Sequence, residues 1–470
     1  MAVEIKTDIC IIGAGSGGLS VAAAASQMGA ATVLIEAGKM GGDCLNYGCV
    51  PSKSLLAAGH AAQAMRDSAG FGVNGAAPGI DFARVHDHVH EVIAAIAPND
   101  SVERFEGLGV RVIQAHGRFT APDRVAAGDV VIAARRFVVA TGSRAAVPPI
   151  PGLAATPYMT NQTVFDRTTA PEHLIVIGGG PVGVELAQAH RRLGSSVTLL
   201  EMATLLGNDD PELVEVVRRR LRAEGVHIHE GVSLSGVEHR GNRIVVTAGG
   251  RSFEGSHQMI AAGRAPNIDD LGLDAGRIEH SAKGIAVDAR MRTSNRRVYA
   301  VGDVTGPPML THAANLQAGI VIRNALFRLP AKLDTSAMPW VTFSDPELAQ
   351  VGLTEAAARA AGRDFRVLRW PFAENDRAIA EGFKEGLIKL VIGHGGKILG
   401  AGIVGPHAGE LIQSWGLAIS AKLKIGKVAN FIAPYPTLGE ANKRAAGEYF
   451  TPSLFAPRAR ALVRFLSRFG

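Results

Sequence analysis

Two stretches of this chain share one pattern of glycines: "TDICIIGAGSGGLSVAAAASQMGAATVLIE" near the start and "HLIVIGGGPVGVELAQAHRRLGSSVTLLE" further on. Each opens with a short β-rich apolar run, passes a glycine turn and a helix-forming segment, and closes with a second apolar run ending in an acid. The glycines are Gly13, Gly15 and Gly18 in the first copy and Gly178, Gly180 and Gly183 in the second. The acids are Glu36 and Glu201, each 23 residues beyond the first glycine. In such a strand–helix–strand unit the first glycine permits a tight turn, the second lets backbone approach a pyrophosphate, and the third allows close helix packing. The helix N-terminus offers unpaired N–H groups to the anion, and the acid accepts hydrogen bonds from a ribose. One copy is a weak signal. Two copies at matched spacing imply two dinucleotides bound at once. Residues 9–35 carry no charged side chain and could span a bilayer by length, but the internal glycine turn assigns them to this unit.

A chain of 470 residues is too long for one hydrophobic core and predicts about three domains. With 47% hydrophobic and 20% charged residues it is globular rather than disordered or disulfide-stapled. Its start, "MAVEIKTD", holds charges and no apolar run of signal-peptide length, which predicts an uncleaved cytoplasmic protein.

Of three cysteines, Cys10 falls in the first apolar run and reads as an inert buried thiol, while Cys44 and Cys49 sit in "GGDCLNYGCVPSK". A zinc site would want further Cys or His ligands at short spacing, and none lies near. A cysteine pair close behind the first of two dinucleotide sites suggests a flavin, a nicotinamide and a dithiol in series. On these motifs the chain resembles the flavin-dependent pyridine nucleotide–disulfide oxidoreductases, the family that includes dihydrolipoyl dehydrogenase, glutathione reductase and mercuric reductase. The resemblance runs from "GAGSGG" to "YPTLGE" and leaves only the last twenty or so residues uncovered.

The resemblance implies an α/β fold: two Rossmann-like dinucleotide-binding domains, for FAD and NAD, and an α+β C-terminal dimerisation domain. The expected layout is a first FAD-binding part at 1–149, an NAD-binding domain at 150–270, a second FAD-binding part at 271–335, a dimerisation domain at 336–450 and a basic tail at 451–470. It implies that Cys49 is the thiolate nearer the flavin and Cys44 the interchange thiol. A helix starting after "CVPS", with Pro51 in its first turn, would favour the thiolate. Lys53 is expected beside the flavin N5, paired with Glu185 of "GGGPVGVE". Thr141, Gly142 and Ser143 match the crossing that closes the flavin domain, Asp303 of "YAVGDVTG" the ribityl acceptor, and Gly263 and Arg264 of "AAGRAPN" the return from the nicotinamide domain. "MLTHAANLQAGI", with Ala313 in its first turn, matches a helix whose N-terminus faces the pyrimidine end of the ring.

At the end of the second unit, "LLEMATLL" has Glu201 and no arginine until Arg218, which predicts NADH over NADPH. Three departures from the family pattern stand out. Pro181 replaces an aromatic residue that covers the flavin in many members, leaving hydride access more open. Asp43 stands where threonine is common beside the pyrophosphate, and a carboxylate there needs a compensating donor. In "FIAPYPTLGEANKRAAG", Tyr435 replaces the proton-shuttling histidine, while Pro436, Thr437 and the orienting acid Glu440 are kept. A phenol with a free pKa of ~10 is a poor shuttle at neutral pH. Mercuric reductases also carry a tyrosine at this point, yet their C-terminal cysteine pair is missing, since no cysteine follows Cys49.

His86 and His90 lie one helical turn apart without a third ligand in view and read as a solvated helix face; no metal site is predicted. The tail "TPSLFAPRARALVRFLSRFG" sets Leu462, Phe465, Leu466 and Phe469 on one helical face and Arg460, Arg464 and Arg468 on another. Such a helix fits either its own dimer or an anionic lipid surface. No nucleic-acid recognition module appears. The functional expectation is an FAD-dependent homodimeric oxidoreductase that moves electrons between NADH and a thiol, disulfide or soft-metal acceptor through the Cys44–Cys49 pair. The alternative is a flavoprotein that reduces a quinone or oxygen directly, its thiol exchange vestigial.

Overall fold

The computed structural model describes residues 3–469. The chain forms two compact units, one built from residues up to Gly178, Leu186–Met202 and Val232–Leu333, the other from Gly179–Glu185, Ala203–Gly231 and the chain from Asp334 on.

In the first unit, β1 (Val3–Ile12), α1 (Ser16–Gln27) and β2 (Thr32–Glu36) make the strand–helix–strand unit read from the glycines. Ile9, Cys10 and Ile11 are fully buried, so consecutive apolar residues fill both faces of the sheet, the mark of a central parallel strand. β1 runs parallel to β2, with Ile9 opposite Thr32, and parallel to Val130–Val139, with Cys10 opposite Phe137. They belong to a seven-stranded sheet in which Val298–Ala300 also lies parallel on Val130–Val139. That pairing returns a segment distant in sequence to the sheet's centre and sets Asp303 just beyond its end. The sheet is thus assembled from two stretches of chain far apart in sequence.

α2 (Gly42–Asn46) carries Cys44, and α3 (Cys49–Asp67) starts on Cys49 itself. Pro51 is thus the third residue of the helix. The second glycine unit consists of β3 (His173–Ile177), α4 (Pro181–Arg192) and β4 (Ser196–Leu200). β3 is flanked in parallel by β4 and by His257–Ile260. Further on, α5 (Thr311–Ala325) packs against α1, where a Cβ at Gly17 would lie 3.4 Å from the Ala314 Cβ.

The second unit is built on a five-stranded sheet in the order Pro339–Thr342, Glu347–Gly352, Lys397–Gly405, Leu387–Gly393, Phe365–Pro371, antiparallel throughout. Trp415 is fully buried behind it and donates its indole N–H to the Asn442 side-chain oxygen at 2.8 Å. Lys389, also buried, meets three carboxylates: Asp210 at 2.8 Å, Glu355 at 2.9 Å and Glu212 at 3.0 Å. Truncating a buried cation so surrounded costs about 3–5 kcal/mol, because the carboxylates stay behind without it. The tail pattern does form a helix, α6 (Pro457–Leu466), with Leu462, Val463, Phe465 and Leu466 each more than half exposed. Among the described residues no helix is long and apolar enough to cross a membrane.

Candidate active site

The two glycine loops repeat one geometry. Gly13 has φ +106° and Gly178 φ +113°, and a Cβ at either would strike a carbonyl oxygen, that of Ala140 at 2.4 Å or of Ala261 at 2.3 Å. Only glycine fits there. A Cβ at Gly15 or Gly180, by contrast, would meet nothing within 4 Å. These positions leave clear space over the backbone where α1 and α4 begin, and no side chain caps α1. Bare helix N–H groups beside open space fit a pyrophosphate. Gly18 closes the first loop, since a Cβ there would overlap the Gly13 carbonyl oxygen at 1.8 Å, while Gly183 is buried within α4. Glu36 accepts from the Ala14 N–H at 2.5 Å and the Gly38 N–H at 2.7 Å, which fixes its carboxylate at the mouth of the loop for a ribose. Glu201 directly follows β4.

The flavin crossing gathers a polar network that spacing could not show. Strand Ser143–Ala145 runs antiparallel to Arg264–Pro266, with Gly142 at φ +70° and Gly263 at φ +118° turning the chain at their ends. Thr141 donates its hydroxyl to the Asn267 carbonyl at 2.7 Å. The Ser143 hydroxyl donates to Asp303, and Arg264 donates to the Ser143 hydroxyl oxygen at 2.6 Å. Arg264 also reaches Asp43 at 3.0 Å, and the Asn161 amide donates to the other Asp43 oxygen at 3.0 Å. These are the compensating donors that a carboxylate at position 43 requires. Asn161 is buried and had no signal in sequence. Ala313 is buried in the first turn of α5.

Cys49 and Thr311 are each the first residue of a long helix, α3 and α5, and their side chains meet, Sγ to Oγ1, at 3.4 Å. The sulfur therefore lies where two helix N-termini converge, a setting that favours negative charge. Three groups lower the Cys49 thiol to about 6: first a hydrogen bond with Cys44, then the Thr311 hydroxyl, then the positive charge of Lys53 one turn along α3, against burial and Asp43. The same hydrogen bond, with burial, pushes Cys44 far above the usual thiol range. The shared hydrogen bond thus makes Cys49 the sulfur of the reduced pair that more readily carries negative charge. Cys10 is buried in β1, and burial alone raises it, as an inert core thiol should behave.

Tyr435 is 69% exposed in the second unit and donates its hydroxyl to Asp376 at 3.0 Å. That hydrogen bond and the Asp376 charge raise the phenol above its ordinary value. Glu440 accepts from Arg444 at 3.0 Å, one helical turn on, and its negative charge adds to the raising of the phenol. A histidine ring has a second nitrogen to offer such an acid, whereas a phenol has one oxygen, and here it goes to Asp376. Glu185 is buried and accepts from the Phe343 backbone N–H at 2.9 Å. His86 and His90 lie on Phe82–Ile96 with ring centroids 4.1 Å apart, and His90 bonds the His86 carbonyl at 2.9 Å. His86 is half-buried, not a freely solvated face. No cluster of three metal-ligating residues occurs among the described residues.

Residues 7–318 match the family described as pyridine nucleotide-disulphide oxidoreductase, and residues 338–446 match the dimerisation domain of that family. The chain belongs to the pyridine nucleotide-disulphide oxidoreductase family. It is an FAD-dependent, NAD(P)H-linked oxidoreductase of the disulfide and metal-reducing type, and its dimerisation domain supports a homodimer. A mercuric reductase of Lysinibacillus sphaericus is 34% identical over 450 residues, covering 94% of this chain and 82% of that protein. A dihydrolipoyl dehydrogenase of Geobacillus stearothermophilus is 34% identical over 460 residues, covering 94% and 96%. Among solved structures, the Cu(II) complex of the HOCl-induced flavoprotein disulfide reductase RclA from Escherichia coli superposes with TM-score 0.86 at 26% identity, covering 94% of this chain and 99% of that one. The first glycine cradle, the Ser143–Arg264–Asp303 network and the converging helix ends fit an FAD, and the second glycine cradle fits a second dinucleotide.

Proposed function

We propose that the protein uses NADH to reduce a thiophilic metal ion, delivered as a complex with small thiols, in preference to a disulfide. Bound FAD supplies the two-electron relay between nicotinamide and dithiol. The residues then divide the work. Glu201 holds the ribose of NADH and repels the extra phosphate of NADPH. Lys53 sets a cation next to Cys49. The Cys49 thiolate is the inner sulfur, and Cys44 exchanges with the ligands of the incoming ion. Tyr435 of the second subunit completes each site, with domains divided as 1–149 with 271–335, 150–270 and 336–450. The work is done in the cytoplasm, where a dithiol is kept reduced.

The observation that carries this reading is the Tyr435–Asp376 pair where a disulfide reductase would use a histidine. A phenol raised above its ordinary value cannot return protons to a departing thiolate as an imidazole does. Ligand exchange at a soft metal ion asks less of a proton donor.

The test is steady-state turnover of Hg(II) buffered by small thiols. Cys44→Ser is expected to lose at least ~10³-fold, as for removal of a nucleophile, while NADH still bleaches the flavin. Turnover that survives this change, with quinone or oxygen as acceptor, would establish direct flavin oxidation instead. Wild-type rates with NADPH at or above those with NADH would reject the role given to Glu201.

A further inference from the structure

Asn375, 3% exposed, ties the turn that carries Asp376 to the Tyr435 segment: its oxygen accepts from the Ala378 N–H at 3.0 Å as the cap of its own helix, and its amide donates to the Thr437 carbonyl at 3.2 Å. Thr437 closes its own turn by donating its hydroxyl to the Pro434 carbonyl at 2.8 Å. Asp376, first residue of helix Asp376–Ala380, is thereby placed against Tyr435 through Asn375, and its carboxylate takes the phenolic hydrogen at 3.0 Å. Glu440 is engaged elsewhere, with Arg444 at 2.8 Å.

A phenol has one hydrogen and two lone pairs. Once the hydrogen is committed to Asp376, only lone pairs remain for anything that approaches from solvent. Tyr435 then meets a substrate as a hydrogen-bond acceptor, suited to the S–H of a thiol ligand or to a metal ion, and unsuited to donating toward a departing thiolate. We propose that Asp376 is the positioning residue for Tyr435 and that, by taking the phenolic hydrogen, it sets the site's preference for thiol-liganded metal over disulfide. The inference rests on the placement of Tyr435 at the dimer's active site made above.

The experiment uses the holoenzyme and three variants, Asp376→Ala, Tyr435→Phe and the double change. Ultraviolet titration assigns the Tyr435 phenol by difference from Tyr435→Phe. Turnover is read with Hg(II) buffered by small thiols. Asp376→Ala is expected to return the phenol toward the free value and to lower kcat/KM about tenfold, and to lower it no further in the Tyr435→Phe background. A phenol titration indifferent to Asp376→Ala would overturn the pairing. A further tenfold loss from Asp376→Ala in the Tyr435→Phe background would overturn action through Tyr435. If the phenol moves while every variant turns over at the wild-type rate, the pair exists but Tyr435 is not at the active site, and both this inference and that placement fall.

Discussion

In the proposed function the dithiol region and the Tyr435 region serve one reaction, yet they are built in different ways. Around Cys44 and Cys49 the decisive elements are backbone: helix starts at Cys49 and Thr311, and glycine loops at Gly13 and Gly178 that no other residue could form. Around Tyr435 the decisive elements are side chains on exposed turns, Tyr435 with Asp376 and Glu440 with Arg444. A site made of backbone resists change because altering it dismantles the fold. A site made of exposed side chains can exchange its chemistry at little cost in stability, since exposed pairs contribute only ~0–1 kcal/mol. The difference suggests how one scaffold keeps its electron path and changes its acceptor.

If that contrast is sound, restoring the missing ring should change the acceptor without touching the electron path. Tyr435→His is expected to raise kcat with lipoamide by ~10²-fold, the scale of one general acid–base group. Rates with lipoamide unchanged in this variant would mean that the acceptor is chosen elsewhere.

A smaller effect is expected at the dithiol. Cys49 titrates at about 6, so the alkylation rate of the reduced protein should rise as pH passes upward through that value and level off above it. Thr311→Val removes one hydroxyl from the thiolate, and the curve should move to higher pH while Cys44 and Lys53 still hold the rest of the shift. A curve that stays in place would assign the lowering to Cys44 and Lys53 alone.

What could be read from sequence follows the same divide. The paired glycines, the terminal acids and the two cysteines are local patterns whose geometry is dictated within a few residues, and each stands in the structure where its spacing required. Val298–Ala300, fully or nearly fully buried, joins the first sheet beside Val130–Val139 although it is distant in sequence. Contacts between residues far apart in sequence had no such signal. Thr311 meets Cys49, Arg264 and Asn161 converge on Asp43, and Asp376 takes Tyr435. The need for a donor at Asp43 was legible from its charge. Its identity was not, since any of many polar residues could have supplied it.

The most direct measurement is anaerobic steady-state NADH oxidation by the wild-type protein with Hg(II) buffered by small thiols, run beside lipoamide at matched concentration. Turnover with Hg(II) and near silence with lipoamide is the predicted result. Rapid reduction of lipoamide would contradict the account, because it would show that the Tyr435–Asp376 pair supports disulfide exchange as a histidine does.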